Sequence, residues 1–519
     1  MSIQAQSLHS LQKENEREGP IQSDMEKMAQ GGGAILFASL FGNGLNYAFG
    51  IFLARMLGPS QFGLYALGLT VFNVLSLIAL LGMDTSSIKF VSEHLSHGQV
   101  GKARSTVVLS ACITALCGLL AGLGLALVAE PLSIAIYQKP ELITVLLLFA
   151  AAVPLASVTT VLISSLQAYQ TIRVTVLIKY LWEPIGKFLL GGIVLWAGFG
   201  LAGVLVAIVI TLFVSAVVTL RATHRVAKLV RSDFLLWQSE QVQPLLAYWR
   251  PLAVATIFDV LAPRSAILIL GYWVSASEVG VYQAAFQTAT ILALVPAAFD
   301  IALMPMVARA WAQRDGQRLR QLYQTFPRLI SILTIPCCLL LVIFSRETLA
   351  LFGKDFSVGA ASLVMLAVFQ LFGHFAGPAS SVLLMAGHSR LVMANTVVFG
   401  IVSIIANAIA IPIGGILGAA VVVSTSYFVL GLIRTAQVWR LHGIHPFSWS
   451  LAKPMIAGAL TATALLGTKI AVDALYYPVL VFLAGVLYLL LLYMLGFEED
   501  DRVVFEGIWR KVKGADTAP

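Results

Sequence analysis

Fourteen long apolar stretches, nearly free of charge, dominate this 519-residue sequence. Together they hold 304 residues but only seven of the chain's 33 basic and 25 acidic side chains. Most have the roughly 17 to 25 residues that a helix needs to cross a bilayer. This segregation excludes a soluble enzyme, a disordered chain and a fibrous repeat, and it predicts an all-α polytopic membrane protein with fourteen transmembrane helices. The predicted spans are 34–54, 63–83, 106–128, 142–166, 176–197, 200–220, 252–273, 280–306, 329–344, 359–384, 391–411, 414–433, 454–472 and 477–496.

The basic side chains between the spans predict the orientation of the chain. With the N-terminus inside, the even-numbered connections and both tails carry 26 Lys and Arg, whereas the odd-numbered connections carry five. Cytoplasmic loops hold the excess of positive charge, so both termini are predicted to be cytoplasmic. The same excess accounts for the net charge of +8 and suits lipid headgroups, so it gives no reason to expect a nucleic-acid partner. The five basic residues on the predicted outer side are Arg55, Lys139, Arg346, Lys354 and Lys469.

A short motif occurs twice, at an offset of 217 residues. Gln61-Phe-Gly63-Leu-Tyr65-Ala66 opens span 2, and Glu278-Val-Gly280-Val-Tyr282-Gln-Ala284 opens span 8. Two similar six-span units in one orientation are typical of transporters, in which two lobes enclose a cavity near the membrane midplane. The predicted domains are a polar cytoplasmic tail 1–33, an N-terminal lobe 34–220, a cytoplasmic linker 221–250, a C-terminal lobe 251–437, spans 13 and 14 within 453–496, and an amphipathic cytoplasmic tail 497–519.

Several motifs, in this order and spacing, resemble a known family over about residues 34–510. The segment Arg55-Met-Leu-Gly58-Pro59-Ser-Gln-Phe-Gly63-Leu-Tyr65 is similar to the opening signature of the polysaccharide transporters of the multidrug/oligosaccharidyl-lipid/polysaccharide exporter superfamily. The other motifs are Leu351-Phe-Gly-Lys-Asp-Phe356, Leu384-Met-Ala-Gly-His-Ser-Arg390, the stretch from Asn407 through Ile411-Pro-Ile-Gly414 to Gly418-Ala-Ala420, and Glu498-Glu-Asp500.

The resemblance implies a flippase of the bacterial cytoplasmic (inner) membrane. Such a protein carries undecaprenyl-pyrophosphate-linked oligosaccharide from the inner to the outer leaflet for O-antigen, capsule or exopolysaccharide assembly. Its candidate partners, besides membrane lipids, are a polysaccharide polymerase and chain-length machinery. The chain departs from the lipid II flippases of the same fold, which carry arginines inside their first two helices. Here spans 1 and 2 hold no charge, only Asn43, Asn46 and Asn73.

The few charges inside spans are the candidates for handling a phosphate or an ion. Each costs about 2.5 to 3.5 kcal/mol at the middle of a membrane helix, so each should have a partner or a purpose. Span 7 holds Asp259 and Arg264, with Pro263 between them to open a kink. Arg264 is predicted to hold a phosphate or sugar while Asp259 exchanges a proton or sodium ion. The alternative is an internal ion pair that only fixes the kink.

Span 5 places Lys179, Glu183 and Lys187 on one helical face, at i, i+4 and i+8. Lys179 and Lys187 are candidates for the headgroup, with the alternatives that Lys179 extends to the inner surface and that Lys187 pairs with Glu183. Glu183 is also a candidate for ion coupling. The remaining candidates are Asn43 and Asn46 for the headgroup and Asp300 for the ion, Asp300 having the alternative of an interfacial carboxylate paired with an arginine.

Two other functions stay open from the sequence. A multidrug antiporter of the same superfamily would fit twelve spans and an aromatic, acidic pocket better. A membrane polysaccharide polymerase or ligase would need a large outer loop with catalytic groups, and the longest outer connections have about 14 residues. The chain has no HExxH, GxSxG or Walker motif. No catalytic residue, metal or organic cofactor is therefore predicted, and a proton or sodium gradient is the expected energy source.

Overall fold

The computed structural model describes residues 2–228, 257–258, 260–375, 378–471 and 476–496. These residues form helices joined by short turns, with no β-strand in the described ranges. The helices are α1 (Ser2–Leu80), α2 (Met83–Ser96), α3 (Val100–Pro131), α4 (Leu142–Ala168), α5 (Ile172–Thr175), α6 (Glu183–Trp196), α7 (Gly200–Ala227), α8 (Val260–Trp273), α9 (Ala276–Thr290), α10 (Leu294–Ala312), α11 (Gly316–Ile343), α12 (Ser345–Ala350), α13 (Ala360–Phe375), α14 (Ala379–Met385), α15 (Ser389–His442), α16 (Trp449–Ala471) and α17 (Tyr477–Leu495).

The prediction of an all-α membrane protein is confirmed. Ten helices of the described chain are long and apolar enough to cross a bilayer. Two of them, α1 and α15, each contain two predicted spans separated by a kink. The kinks lie at Gly58 (φ 74°, ψ 173°) and Gly415 (φ 53°, ψ −134°), where only glycine adopts the backbone without strain. The total of fourteen spans stays a prediction.

Two π-helical segments interrupt the regular helices in the part of the chain that the structure describes. Leu132–Ile136 follows α3, and Val176–Trp182 joins α5 to α6. The second segment carries Lys179 and leads directly into Glu183 and Pro184, the first two residues of α6. Proline suits the first turn of a helix because its missing amide hydrogen has no partner there. A candidate charged pair therefore lies where the helical winding changes, a common place for functional residues.

The chain divides into two compact units. The first comprises Met1–Phe49, Ala79–Gly122 and Ala151–Trp249, and the second comprises Gly50–Ile78, Leu123–Ala150 and Arg250–Pro519. In the first unit, α6 packs closely on α7: a Cβ on Gly186 would lie 2.9 Å from the Thr211 side chain, and the Trp182 indole donates to the Thr211 carbonyl at 3.2 Å. The domain limits predicted from the repeat stay predictions.

The core of the second unit is built from aromatic and branched side chains. Phe62, Phe352 and Phe356 lie within 6.3 Å of one another by ring centroids and are at most 1% exposed. A second cluster joins α10, α11, α14 and α15 around the fully buried Tyr323. Hydroxyl groups inside helices donate to the carbonyl four residues earlier, as Thr288 does to Ala284 at 2.7 Å. Such bonds satisfy polar groups within an apolar interior.

Candidate functional site

The charged residues of span 5 lie together in the first unit. The ammonium of Lys179 is 3.5 Å from a carboxylate oxygen of Glu183, and the side chain of Glu183 is only 7% exposed, against 40% for Lys179. Lys187 follows one helical turn later on α6 and is half-buried. The predicted shared face of Lys179 and Glu183 is therefore present. Pairing neutralises the buried carboxylate, which would otherwise be costly to keep inside a membrane.

Arg264 lies on α8 in the second unit and is half-buried. The next residue, Ser265, accepts a hydrogen bond of 3.4 Å from the amide nitrogen of Asn407, a fully buried side chain on α15. The oxygen Oδ1 of Asn407 has no hydrogen-bond partner among the described residues. A buried acceptor of this kind favours water or a cation nearby. Asp259, the predicted partner of Arg264, lies outside the described residues.

Asp300 lies on α10 and is half-buried. Its carboxylate accepts a hydrogen bond of 3.4 Å from the hydroxyl of Ser381, a buried residue of α14. Asn43 and Asn46 are exposed on α1 and belong to the first unit. The structure thus places the span 5 group, Asn43 and Asn46 in one unit, and Arg264 and Asp300 in the other.

A cavity that the sequence did not reveal lies within the second unit. It holds about 1080 Å³ of open space, the solvent at its mouth included. Arg434 supplies its positive charge, and no Asp or Glu lies among the described lining residues. The polar lining residues are Thr290, Gln370, Ser380, Tyr427 and Arg434, and Phe286 adds a second aromatic ring. This combination of one cation, neutral hydrogen-bonding groups and aromatic rings suits an anionic, hydroxyl-rich ligand.

Hydrogen bonding orients the arginine of this cavity. The Nη2 atom of Arg434 donates to the hydroxyl of Thr396 at 2.9 Å, which joins the two halves of α15. Arginine presents five donors in a planar fork, the geometry that matches phosphate oxygens. Arg434 is the first residue of the connection 434–453, on the predicted cytoplasmic side, whereas Gln370 and Thr290 lie near the middle of predicted spans 10 and 8. The cavity therefore extends from the predicted inner end of the helices toward their middle.

A smaller adjoining cavity of about 410 Å³ shares Tyr427 and Leu430 with the larger one. Its other walls include Phe258 and Pro263, so the helix that carries Arg264 borders it. Ser403 and Ser426 add hydroxyl groups. The two cavities thus adjoin at Tyr427 and Leu430 of α15, and the smaller one lies between α8 and α15. Pro263, predicted to open a kink, thus lies at a cavity wall.

In the sequence, Arg434 is marked only as one of the basic residues in the predicted cytoplasmic connections. Its position just beyond span 12 resembles that of every other topological arginine, so no local signal marked it. The spacing of Thr396 and Arg434, in two halves of one kinked helix, becomes meaningful only once the kink at Gly415 folds those halves together. Tyr427 and Gln370 likewise occur within otherwise apolar spans, and one sequence does not show which face they occupy.

Comparison with known proteins supplies the family. A model of the polysaccharide biosynthesis protein family matches residues 52–372. The probable low-salt glycan biosynthesis flippase Agl15 of Haloferax volcanii is 23% identical over 401 residues, which cover 76% of this chain and 80% of that protein. The probable flippase AglR of the same organism is 29% identical over 165 residues, covering 30% of this chain and 33% of that protein.

Solved structures give the same fold. The lipid II flippase MurJ, in an inward closed conformation, aligns with a TM-score of 0.72 at 12% identity over 88% of this chain and 97% of that one. An inward-facing multidrug resistance MATE transporter aligns with a TM-score of 0.66 at 15% identity over 77% and 94%. The expected family and a transporter rather than an enzyme are confirmed. The chain belongs to the polysaccharide biosynthesis protein family and has the fold of the multidrug/oligosaccharidyl-lipid/polysaccharide exporters.

Proposed function

We propose that this protein is a flippase for undecaprenyl-pyrophosphate-linked oligosaccharide. It moves the lipid-linked sugar from the inner to the outer leaflet of the bacterial cytoplasmic membrane, for O-antigen, capsule or exopolysaccharide assembly. Membership of the polysaccharide biosynthesis protein family supports a glycan as the transported molecule. The similarity to Agl15, named as a probable glycan biosynthesis flippase, supports a lipid-linked form of it.

The polar cavity around Arg434 carries the proposal. A pyrophosphate and many hydroxyl groups cannot cross hydrocarbon unaided, since each unbonded polar group costs several kcal/mol and an unpaired charge more. The cavity offers a guanidinium for the phosphates near the predicted inner end. Deeper in the cavity, the Gln370 and Thr290 side chains and the Tyr427 ring can contact sugars, and Ser380 adds a hydroxyl group nearer the inner end. A carrier needs its phosphate-binding group near the inner end and its sugar-binding groups deeper if the headgroup enters from the cytoplasmic leaflet.

The charge of the cavity argues against a carrier of cationic drugs. Antiporters of that kind need carboxylates facing their cargo, and the described lining of this cavity has a cation in that place. Asp300, a candidate for an ion, is connected to this region through its hydrogen bond from Ser381, the neighbour of the lining residue Ser380. We assign Asp300 and Asp259 to exchange of a proton or sodium ion, and the two cytoplasmic termini follow from the charge bias.

Replacement of Arg434 tests the proposal in a strain whose own flippase gene is deleted. Arg434→Ala should reduce export of surface polysaccharide about ten- to a hundredfold, because a hydrogen bond to a charged group contributes roughly 1.5–3 kcal/mol. Arg434→Lys should retain part of the activity, since it keeps the charge and loses the fork. Arg440→Ala is the matched control, because Arg440 is exposed on the same helix outside the cavity. Normal export by Arg434→Ala would contradict the proposal.

A further inference from the structure

Two glycines of the second unit hold α1 and α9 in backbone contact. A Cβ on Gly63 would lie 1.8 Å from the carbonyl oxygen of Ala276 and 2.8 Å from the amide nitrogen of Gly280. A Cβ on Gly280 would lie 2.2 Å from the carbonyl oxygen of Pro59 and 3.0 Å from the amide nitrogen of Gly63. Every one of these obstacles is a backbone atom, which cannot rotate aside. Only glycine permits this approach.

The contact is made by equivalent residues of the two repeats. Gly63 and Gly280 are separated by the repeat offset of 217 residues, and so are Pro59 and Ala276. Each glycine therefore faces the residue four positions before its counterpart. A contact in which residue i meets j while the equivalent of i meets the equivalent of j is the signature of a two-fold axis. The crossing thus lies where the pseudo-two-fold axis of a parallel repeat is expected.

Two basic residues of the first repeat bind carbonyl groups of the second repeat in the same unit. Arg55, at the end of predicted span 1, donates from Nε to the Leu351 carbonyl at 2.6 Å, in the connection between spans 9 and 10. Lys139, in the connection between spans 3 and 4, donates to the Gly271 and Val274 carbonyls at 2.6 and 3.0 Å, at the end of α8. Both cations thus come from the first repeat, but the elements that meet are repeat equivalents: the end of span 1 contacts the connection between spans 9 and 10, and the connection between spans 3 and 4 contacts the end of span 7. Carbonyl groups at helix ends carry partial negative charge and lack helical partners, so both contacts are favourable.

Aromatic side chains fill the space beside the crossing. Phe62, next to Gly63, lies with its ring centroid 6.3 Å from that of Phe352 and 5.9 Å from that of Phe356. All three rings are buried. Buried apolar rings therefore flank the glycine crossing. Partial burial lowers the pKa of Lys139, while the carboxylate of Glu278 raises it.

We propose that these contacts form the outer seal of the transport pathway. The Gly63–Gly280 crossing closes the outer end of the pathway, and the Arg55 and Lys139 contacts stabilise this closed state. The proposal rests on the proposed function and on the predicted orientation, which places these helix ends at the outer face. Because both halves are repeat equivalents, the seal closes and parts as one symmetric unit. Release of the glycan to the outer leaflet requires that it parts. A methyl group at either glycine therefore hinders closing and leaves opening unhindered.

A buried cysteine reports whether the seal is closed. Ala284 is fully buried and lies four residues after Gly280, on the same helical face and one turn deeper. Ala284→Cys, in a variant whose native cysteines are replaced, is treated in intact cells with a membrane-impermeant maleimide. The native cysteines are Cys112, Cys117, Cys337 and Cys338. The closed seal should protect the thiol of Ala284→Cys from the maleimide, whereas the thiol of Val358→Cys, at a site 78% exposed in the same region, should react at once.

Adding Gly63→Ala or Gly280→Ala should raise the labelling rate at position 284 about five- to a hundredfold, because overpacking by one methyl group costs about 1–3 kcal/mol. Gly124→Ala is the matched control: it is helical, lies in the same unit and has no atom within 4 Å of the added Cβ. Unchanged protection in both glycine variants would overturn the seal. Labelling of Val358→Cys only from the cytoplasmic side would overturn its outer position.

A covalent latch provides the second measurement, independent of whether the glycine variants fold. Arg55→Cys and Leu351→Cys, joined by a short cleavable thiol cross-linker, should abolish transport, and reduction should restore it. Full transport by the cross-linked protein would overturn the seal. The labelling experiment needs no cargo. If the protein shows the predicted labelling but moves no lipid-linked glycan, the proposed seal stands and the proposed function fails. Failure of the seal and failure of the proposed function are therefore distinguishable.

Discussion

The hydroxyl group of Ser381 donates a hydrogen bond of 3.4 Å to the carboxylate of Asp300. Ser381 belongs to α14 and Asp300 to α10, so this contact ties two helices of the second unit together. Ser380, the preceding residue of α14, lines the cavity that contains Arg434. A change of charge at Asp300 can therefore reach the cavity wall through a single short helix.

Asp300→Asn tests this connection. The amide keeps the size of the carboxylate, but it has no acidic proton to release and no negative charge to bind a sodium ion. Transport should therefore lose its dependence on the ion gradient. Initial rates in vesicles, with and without an imposed proton or sodium gradient, measure this. Ser381→Ala is the comparison variant, because it removes the hydrogen bond and keeps the carboxylate. If Asp300→Asn responds to the gradient as the unmodified protein does, Asp300 is not the coupling residue.

Arg264→Ala should block export of surface polysaccharide while the protein still inserts into the membrane. The guanidinium lies on the helix whose Pro263 borders the smaller cavity, next to the contact of Ser265 with Asn407. Export and membrane abundance are measured in the same cells. Arg346→Ala is the control, since that arginine is exposed in an outer connection. Normal polymer in a strain carrying only Arg264→Ala would refute a role for this cation.

Tyr427 is expected to act through its ring. It lines both cavities and is half-exposed, the position of a platform for the apolar face of a sugar. Tyr427→Phe should keep most of the binding, whereas Tyr427→Ala should weaken it several-fold, because aromatic contacts contribute roughly 0.5–1.5 kcal/mol beyond their area. Titration of the purified protein with lipid-linked oligosaccharide measures the change. Equal loss in both variants would assign the effect to the hydroxyl instead.

A reciprocal amide pair should contribute to stability near the predicted cytoplasmic ends of spans 11 and 12. Asn395 donates to the Gln437 oxygen at 2.7 Å, and Gln437 donates to the Asn395 oxygen at 3.1 Å. Asn395→Leu should cost about 1–3 kcal/mol by leaving the other amide unpaired, and adding Gln437→Leu should recover part of that cost. Thermal unfolding in detergent measures both. Additive losses would show that the two amides do not act as a pair.

The fold could be predicted from the sequence because the bilayer imposes it. Spans must be helical to satisfy their backbone groups, so apolar length alone placed most of the helices. The shared face of Lys179 and Glu183 was equally predictable, since helical spacing determines it, but the sequence offered Lys187 as the partner of Glu183, whereas the structure pairs Glu183 with Lys179 at 3.5 Å. The kinks at Gly58 and Gly415 were less visible, because glycine and proline also occur in spans that run straight.

The cavity and the outer contacts could not be predicted because they join residues far apart in the chain. Arg55 and Lys139 were counted as exceptions to the charge bias, yet each binds carbonyl groups at a distant chain turn or helix end. Lys469 does the same with the Ile343 carbonyl at 2.6 Å and with Glu347 at 2.8 Å. These cations on the predicted outer side thus have structural partners, which the sequence alone does not pair.

A transport assay with the purified protein is the most direct test of the proposed flippase activity. Vesicles containing the protein are loaded with undecaprenyl-pyrophosphate-linked oligosaccharide in one leaflet, and an impermeant glycosidase added on the other side detects each molecule that has crossed. Crossing should be well above that in protein-free vesicles, with a rate reduced about ten- to a hundredfold by Arg434→Ala and unchanged by Arg440→Ala. Crossing no faster than in protein-free vesicles, together with transport of a lipophilic cation, would show that the protein is a drug antiporter and not a flippase.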